Sequence, residues 1–322
     1  MKFTYLIASA LVLAAAPAQA RNIVITNDDG LTSNTKALYE RLVADGHDVI
    51  VSVPCQGQSG MGAAVKFLEP LGPLQSDCHN GAAKAGDPGA GQMTRAGLTP
   101  DFFYVRGTPV MALLYALDVQ AQRRWGKAPD LVLSGPNEGQ NVGSVVITSG
   151  TVSNAQYGTI RGIPSIALSA GTGTADAGLA HPDSAKIAAL SSQLVSFLER
   201  KAGSGRLLPE GVALNVNFPD RLADAPQWRM SRIGTYDAFS LRFSQNLNNE
   251  ALVRAMGRPM PELPGVTIVM NTAEPTAGQR GDEAAVYKEA IAVSVMQVGY
   301  DHSAQTVKRM TRQLDGLIAR GR

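Results

Sequence analysis

The stretch Asn22-Ile23-Val24-Ile25-Thr26-Asn27-Asp28-Asp29-Gly30 decides the fold class. Its first half is a short β-branched run, which is typical of a strand buried on both faces of a sheet. Its second half places two adjacent carboxylates directly after that strand. Such carboxylates are costly to bury unless positive charge compensates them, which favours a hard divalent cation with oxygen ligands. A simple Asp-Gly turn before a helix cap is the alternative, and the tetrapeptide alone does not separate the two.

Apolar runs of this kind recur along the chain, and helical patterns separate them. The predicted strands are 22–26, 47–53, 102–105, 130–134, 165–169, 212–218 and 290–298. The predicted helices are 33–43, 109–123, 151–161, 183–201 and 303–319. This alternation predicts an α/β fold in which helices cover both faces of a mainly parallel sheet. Two segments lack the pattern: 72–100 is predicted to be a long surface loop, and 228–281 a strand-and-loop extension outside the main sheet.

The first twenty residues are predicted to be a secretory signal peptide. A basic start, Met1-Lys2, precedes an apolar stretch at 6–17 and the small-residue site Ala18-Gln19-Ala20. The apolar stretch is too short to span a bilayer, so no membrane anchor is expected. We therefore predict cleavage after Ala20 and a periplasmic or secreted protein. The domain at 21–322 would comprise a core at about 21–227, an extension at about 228–281 and a C-terminal strand and helix at 282–322.

Charge and cysteine content exclude several function classes. The chain has 29 basic and 27 acidic side chains, which argues against a surface that binds nucleic-acid polymers or anionic membranes. With two cysteines and four histidines, a structural zinc site is not expected. Export would favour a disulfide between Cys55 and Cys78, and two unpaired thiols are the alternative.

Four polar loops follow predicted strands or precede a predicted helix. They are 27–30, 57–60, 134–143 and 148–151. A parallel sheet gathers such loops at one edge. Their carboxylate, hydroxyl and amide oxygens suit magnesium, manganese or calcium, and Ser149-Gly150-Thr151 at a helix start suits a phosphate. A metal ion beside a phosphate site is the equipment for phosphoryl transfer to water. Taken singly, the sequence around Ser59 favours an ordinary turn residue, and Ser149 and Thr151 are at least as well explained as helix caps.

Together these motifs resemble the SurE family of survival-protein nucleotidases and phosphatases. The resemblance covers most of the chain after residue 20. It rests on five motifs in order and a later strand, namely Asn27-Asp28-Asp29-Gly30, Ser59-Gly60, Arg106-Gly107-Thr108-Pro109, the loop Ser134–Gly143, Ser149-Gly150-Thr151-Val152, and Asn215–Pro219. The chain departs from the family pattern at 31–35, where an Ala-Pro-Gly stretch is common, and at Ser144-Val145, where an acidic pair is common.

The resemblance implies a Rossmann-like phosphomonoesterase that hydrolyses nucleoside monophosphates with a divalent metal, magnesium or manganese, with calcium as a further option. It implies a metal site of Asp28, Asp29, Ser59 and Asn137, in which Asp28 and Asp29 are also the catalytic residues. It further implies a phosphate or substrate site, which comprises Asn27, Asn141, Ser149, Gly150 and Thr151.

The resemblance also implies a homodimer or tetramer. The segment 228–281 or the C-terminal helix, with Val307, Met310, Leu314 and Leu317 at near-helical spacing, would cross between subunits. A helix that packs on its own core is the alternative. For the activity, the alternatives are an exported binding protein that holds a phosphate ester without turnover, and a phosphatase of another substrate such as polyphosphate.

Overall fold

The computed structural model describes residues 20–257, 259–315 and 317. The predicted signal peptide at 1–20 falls outside the described residues, apart from Ala20. The strands are β1 (Asn22–Thr26), β2 (Asp48–Pro54), β3 (Ala90–Gln92), β4 (Phe102–Val105), β5 (Leu131–Glu138), β6 (Ser165–Ala170), β7 (Val212–Asn217), β8 (Trp228–Ser231), β9 (Phe239–Ser244), β10 (Gly265–Met270) and β11 (Ile291–Gln297).

The helices alternate with these strands through most of the chain. They are α1 (Ser33–Ala44), α2 (Pro109–Leu114), α3 (Ala121–Trp125), α4 (Gly150–Ile160), α5 (Pro182–Ala202), α6 (Ala251–Ala255), α7 (Glu283–Val286) and α8 (Ala304–Gln313). A π-helical segment, Tyr115–Gln120, joins α2 to α3, so the helix predicted at 109–123 is present but not uniformly α-helical.

Nine strands form the main sheet in the order β3-β4-β2-β1-β5-β6-β7-β11-β8. Strands β4, β2, β1, β5, β6 and β7 are parallel. At the edges, β3 pairs antiparallel with β4, and β11 pairs antiparallel with β7 but parallel with β8. After β1 the chain builds outward to β2 and β4, and later returns to build outward from β5. The carboxyl ends of β1 and β5 therefore form a topological switch point, where ligands bind in sheets of this class.

The two faces of the sheet are covered because successive side chains of β1 alternate. Ile23 and Ile25 pack in the cluster that contains Leu38 and Leu42 of α1. Val24 faces the other way and packs in the cluster built around α2. The near-continuous burial of β1 agrees with the β-branched run that predicted it.

Two predicted segments differ from expectation. The segment 72–100 is more ordered than a loop, because it contributes β3 to the sheet and carries Cys78, which is disulfide-bonded to Cys55. In the segment 228–281, β8 joins the edge of the main sheet beside β11, and only the hairpin of β9 and β10 stands outside. The predicted C-terminal helix is observed as α8, and residues 316, 318 and 319 of that prediction are not described.

Candidate active site

The loops after β1, β2 and β5 and the start of α4 meet at the switch point. Thr26 of β1 is in register with Ser134 of β5, so the residues that follow each strand lie side by side. The carbonyl oxygen of Asp28 accepts a hydrogen bond of 2.7 Å from the amide of Gln58, which attaches the second loop. The backbone amide of Glu138 donates to Oδ2 of Asp29 over 3.0 Å. The structure thus brings together the four loops that the sequence singled out.

Asn27 holds the first loop in shape. Its Nδ2 donates to the carbonyl of Gly30 over 2.7 Å and to Oγ1 of Thr35 over 3.1 Å, and its Oδ1 accepts from the amide of Gly30 over 3.1 Å. The side chain is fully buried. Asn27 therefore stabilises the conformation of the loop, and its predicted contact with a substrate stays a prediction.

Asp28 and Asp29 are adjacent carboxylates directly after β1, and Asp29 is half-buried. Asp28 is buried, and burial raises its pKa, against hydrogen bonds from the hydroxyl of Thr151 and the amides of Gly150 and Thr151. Burial and the negative charge of Asp28 raise the pKa of Asp29 well above its ordinary value. Two such groups repel each other when both are ionised, and a bound cation relieves that repulsion.

The N-terminus of α4 packs directly on Asp28. Oγ1 of Thr151 donates to Oδ1 of Asp28 over 2.6 Å, and Oγ of Ser149 caps the helix by accepting from the amide of Val152 over 3.0 Å. Both hydroxyls therefore have structural partners, as the capping alternative anticipated for Ser149. A Cβ on Gly150 would lie 2.7 Å from Cβ of Asp28 and 2.6 Å from Cγ of Pro109, so the approach requires glycine.

Asn137 is presented by an irregularity at the end of β5. The ladder with β6 shifts register between Ser134 and Asn137, and a Cβ on Gly135 would collide with the carbonyl oxygen of Leu168. Nδ2 of Asn137 donates to the carbonyl of Gly139 over 2.7 Å. Its Oδ1 is buried and has no hydrogen-bond partner among the described residues. A buried amide oxygen without a donor fits a cation ligand.

Ser59 lies in an exposed turn after β2. That turn is anchored on both sides, by the bond from Gln58 to Asp28 and by the amide of Gly62, which donates to the carbonyl of Thr148 over 3.0 Å. Ser59 is therefore carried to the rim of the site, and its predicted role as a metal ligand stays a prediction.

Asn141 is fixed by a buried polar network that sequence reasoning missed. Its amide donates to Oδ1 of Asn217 over 2.9 Å, its Nδ2 donates to Oγ of Ser169 over 3.0 Å, and its carbonyl accepts from Nδ2 of Asn215 over 2.8 Å. Asn215 in turn donates to Oε2 of Glu283 over 2.9 Å. The alternation of Asn215 and Asn217 in a buried strand was the available signal, since polar side chains there need partners.

Glu283 completes this hydrogen-bond network. Its carboxyl is buried and accepts from the amide of Gly143 over 3.2 Å. Burial raises the pKa of Glu283 to about 7, although hydrogen bonds from Ser294, Asn215 and Gly143 favour the charged form. No local motif marks this residue, because its partners Asn215 and Gly143 are 68 and 140 positions away in the chain.

A cavity of about 200 Å³ opens beside the first two loops. Its lining includes Gln58, Lys66, Glu69, Arg106 and Gly107. The cavity borders the second loop at Gln58, whose amide bonds to the carbonyl of Asp28, and the carboxylates of Asp28 and Asp29 are not part of its lining.

A metal ion at this site would be held by oxygen atoms from several kinds of side chain. Within the described ranges, no group of three or more His, Cys, Asp or Glu residues is placed to hold a metal ion. Two carboxylates, one amide oxygen and one hydroxyl are nevertheless a donor set of the kind that hard divalent cations accept when water completes the shell.

A comparison with known protein families identifies the family of this chain. The model of the survival protein SurE family matches residues 23–239, and the match includes the four loops just described. The chain belongs to the SurE family. Its Rossmann-like α/β fold is confirmed by the crystal structure of the SurE protein from Aquifex aeolicus. That structure superimposes with a TM-score of 0.63 at 25% identity and covers 91% of this chain and 99% of the other.

Two curated relatives of this SurE-family chain carry enzyme names. An acid phosphatase of Yarrowia lipolytica is 34% identical over 206 residues, which are 61% of this chain and 56% of the relative. A 5'-nucleotidase SurE of Thermosipho melanesiensis is 30% identical over 212 residues, which are 66% of this chain and 70% of the relative. The match to the acid phosphatase thus spans little more than half of that protein.

Proposed function

We propose that this chain is a divalent-metal phosphomonoesterase that hydrolyses nucleoside monophosphates, a 5'/3'-nucleotidase. The observation that carries the proposal is the pair of adjacent carboxylates at the switch point, Asp28 buried and Asp29 half-buried, beside the unpartnered amide oxygen of Asn137 and under the N-terminus of α4. The names of the relatives, 5'-nucleotidase and acid phosphatase, support the same class of hydrolase. The adjoining cavity offers room for the organic part of the ester.

Asp28, Asp29, Ser59 and Asn137 would hold the metal, for which magnesium, manganese and calcium are the candidates. When bound, such an ion withdraws charge from a phosphoryl oxygen and lowers the pKa of a water. Thr151 keeps Oδ1 of Asp28 oriented through its hydroxyl, and the amide of Glu138 does the same for Asp29. One of the two carboxylates would orient or deprotonate the attacking water.

The remaining site residues would border the phosphate. Asn141 is held rigidly by Ser169, Asn215 and Asn217, so its position is set before a ligand arrives. The start of α4 adds the positive end of a helix dipole, which favours an anion next to Ser149-Gly150-Thr151. Preorganised groups of this kind lose little free energy to rearrangement during the reaction.

A phosphate-release screen of the protein starting at Arg21 tests this proposal. We expect nucleoside monophosphates to be hydrolysed with magnesium or manganese and not after chelation. Sugar phosphates and polyphosphate belong in the same screen. If polyphosphate alone were hydrolysed, polyphosphate would replace nucleoside monophosphates as the proposed substrate. Tight ligand binding without phosphate release at every metal tested would identify a binding protein and contradict the proposal.

We also propose that the protein is exported to the periplasm or beyond, with cleavage after Ala20. The basic and apolar start of the sequence supports this, and the disulfide Cys55–Cys78 suits an oxidising compartment. Among the described residues, no helix is long and apolar enough to cross a membrane. Mass spectrometry of the native protein checks the cleavage site, and soluble cytoplasmic material that retains Met1 would contradict it.

A homodimer or tetramer is the proposed assembly. The hairpin of β9 and β10 exposes Phe243, Val266 and Met270, with 65%, 59% and 64% of each residue accessible. Helix α8 has no buried residue and exposes Val307 and Met310. Apolar faces of this kind are typical of surfaces that another protein covers.

A further inference from the structure

A buried charged cluster lies far from the candidate active site, at the beginning of β1. It comprises Arg21, His47 and Glu199, which are 7%, 6% and 5% exposed. Arg21 directly precedes β1, His47 directly precedes β2, and Glu199 lies in the last turn of α5. Arg21 is also the residue that directly follows the predicted cleavage site.

Glu199 is an incompletely satisfied buried acid. Its Oε1 lies 3.8 Å from Nε of Arg21 and 3.8 Å from Nδ1 of His47. Among the described residues, neither carboxylate oxygen of Glu199 receives a hydrogen bond, and Nε of Arg21 makes none. A carboxylate removed from water without hydrogen bonds is costly, so this position calls for a further donor.

The backbone nitrogen of Arg21 lies within the same cluster. It donates to Nδ1 of His47 over 3.3 Å. The position of this nitrogen is fixed, because the carbonyl of Arg21 accepts from the amide of Asp48 over 2.9 Å and its guanidinium donates to the carbonyl of Gly203 over 2.9 Å. The residue before it, Ala20, is exposed.

The charges that face the cluster come from three elements. From α5, Glu199 and the neighbouring Arg200 contribute, and from the end of α1 Asp45 does so. The segment between α1 and β2 contributes His47, whose pKa is lowered by burial. A lowered pKa favours the neutral form of His47, whose Nδ1 is then an acceptor. Burial raises the pKa of Glu199, against the positive charges of Arg21 and Arg200, so an added positive charge would favour the ionised carboxylate.

We propose that Glu199 and His47 form the binding site for the α-ammonium group of Arg21 that signal-peptide cleavage creates. The inference rests on the export proposal. Hydrolysis of the Ala20–Arg21 peptide bond by a signal peptidase consumes one water, and it leaves a carboxylate on Ala20 and an ammonium on Arg21. The amide has one N–H, which His47 accepts, whereas the ammonium has three. The additional donors and the positive charge then supply what Glu199 lacks.

Processing would in this way stabilise the fold at its first strand. In the precursor, the nitrogen of Arg21 is a neutral amide, and Glu199 stays without a donor. In the processed protein, the same nitrogen carries a positive charge in the cluster that contains the buried carboxylate of Glu199. A hydrogen bond between charged groups is roughly twice as strong as one between neutral groups.

The test compares two proteins that differ by one residue, one starting at Arg21 and the other at Ala20, both prepared with defined N-termini. Each has one α-ammonium group, but only the first has it in the cluster. We expect the unfolding equilibrium constant at pH 7 to be about tenfold or more smaller for the protein that starts at Arg21. Glu199→Gln should remove the difference. Equal stabilities, or a difference that persists in Glu199→Gln, would overturn the proposal.

Chemical labelling gives a readout that does not need the Glu199→Gln variant to fold. An amine-specific reagent at pH 8 should modify the α-amine of the Arg21 protein at least about tenfold more slowly than that of the Ala20 protein, since exposed α-amines have a pKa near 8. Equal rates would contradict the proposal. Because the termini are set in preparation, these results do not depend on whether the cell cleaves after Ala20, which mass spectrometry of the native protein decides separately.

Discussion

Single residues in the first loop show how the sequence specifies the site. Asn27 uses its whole side chain to close the turn, which leaves Asp28 and Asp29 to face the loops of β5 and α4. Asp28 is buried and Asp29 is half-buried, so a compensating positive charge would favour both ionised carboxylates. The residues that pack against Asp28 have little free space, and Gly150 is the clearest case.

Gly150→Ala tests that constraint. The added Cβ would lie 2.7 Å from Cβ of Asp28 and 2.6 Å from Cγ of Pro109, so α4 must move away from the loop. We expect a loss of about 1–3 kcal/mol in the free energy of unfolding and a clear fall in kcat. Denaturant unfolding and phosphate release measure the two effects.

Gly278→Ala is the matched control, because a Cβ there meets nothing within 4 Å. Its stability and turnover should be close to those of the unmodified protein. If Gly150→Ala behaved like Gly278→Ala, the close packing of α4 on Asp28 would be wrong.

At the scale of elements, local sequence pattern predicted most strands and helices within a few residues. It placed β1 and β4 at the observed bounds, because a continuous β-branched or aromatic run is a strong local signal. It ended β5 at residue 134, whereas the strand continues to Glu138. Gly and Pro at 135–136 resemble a loop locally, and only the pairing with β6 keeps the chain in the sheet.

The support of the Asn141 loop was not predictable from local pattern. Asn141, Asn215 and Glu283 are separated by about seventy residues each, and α7 is a single short turn with no periodicity to mark it. Burial of Glu283 follows from the tertiary packing of α7 against β11 and β8. The metal-loop residues were found by sequence, whereas the residues that hold the Asn141 loop required the structure.

Glu283→Gln tests the buried carboxyl of this element. Burial raises its pKa from the ordinary 4.5 to about 7, so the folded protein holds a proton that the unfolded chain has lost. The stability from this group is complete below pH 4.5, falls as the pH rises, and is lost above pH 7. Relative to Glu283→Gln, the unmodified protein should lose up to about 3 kcal/mol across that range and then stay constant.

The measurement is denaturant unfolding from pH 4.5 to pH 8, where the difference between the two proteins isolates this one group. Glu289→Gln is the control, since Glu289 is exposed and pairs with Arg229. A difference curve for Glu283→Gln that is as flat as that for Glu289→Gln would contradict the raised pKa.

At the scale of the whole molecule, the main sheet positions the candidate active site, whereas α8 has no buried residue. The alternative in which α8 packs on its own core does not hold for the described residues, because none of its side chains is buried. Strand β11, in contrast, is an interior strand between β7 and β8. Loss of α8 should therefore weaken the assembly far more than the fold of a single chain.

Light scattering of Met310→Glu tests the assembly. Met310 lies on the exposed apolar face of α8 together with Val307 and Leu314, so a carboxylate there should shift the mass from an oligomer towards a monomer. Gln305→Glu makes a comparable change on the opposite face and should leave the mass unchanged. A monomeric mass for the unmodified protein at micromolar concentration would refute the proposed oligomer.

The proposed function depends most on the carboxylate pair of Asp28 and Asp29, and Asp28→Asn tests it most directly. The variant preserves shape but removes one charge from the proposed metal site. We expect a folded protein whose phosphate release from nucleoside monophosphates, at saturating magnesium or manganese, is lower by roughly two orders of magnitude or more. Asn137→Ala should cost less, because an amide is a neutral ligand. Near-normal turnover by Asp28→Asn at saturating metal would contradict the assignment of the site.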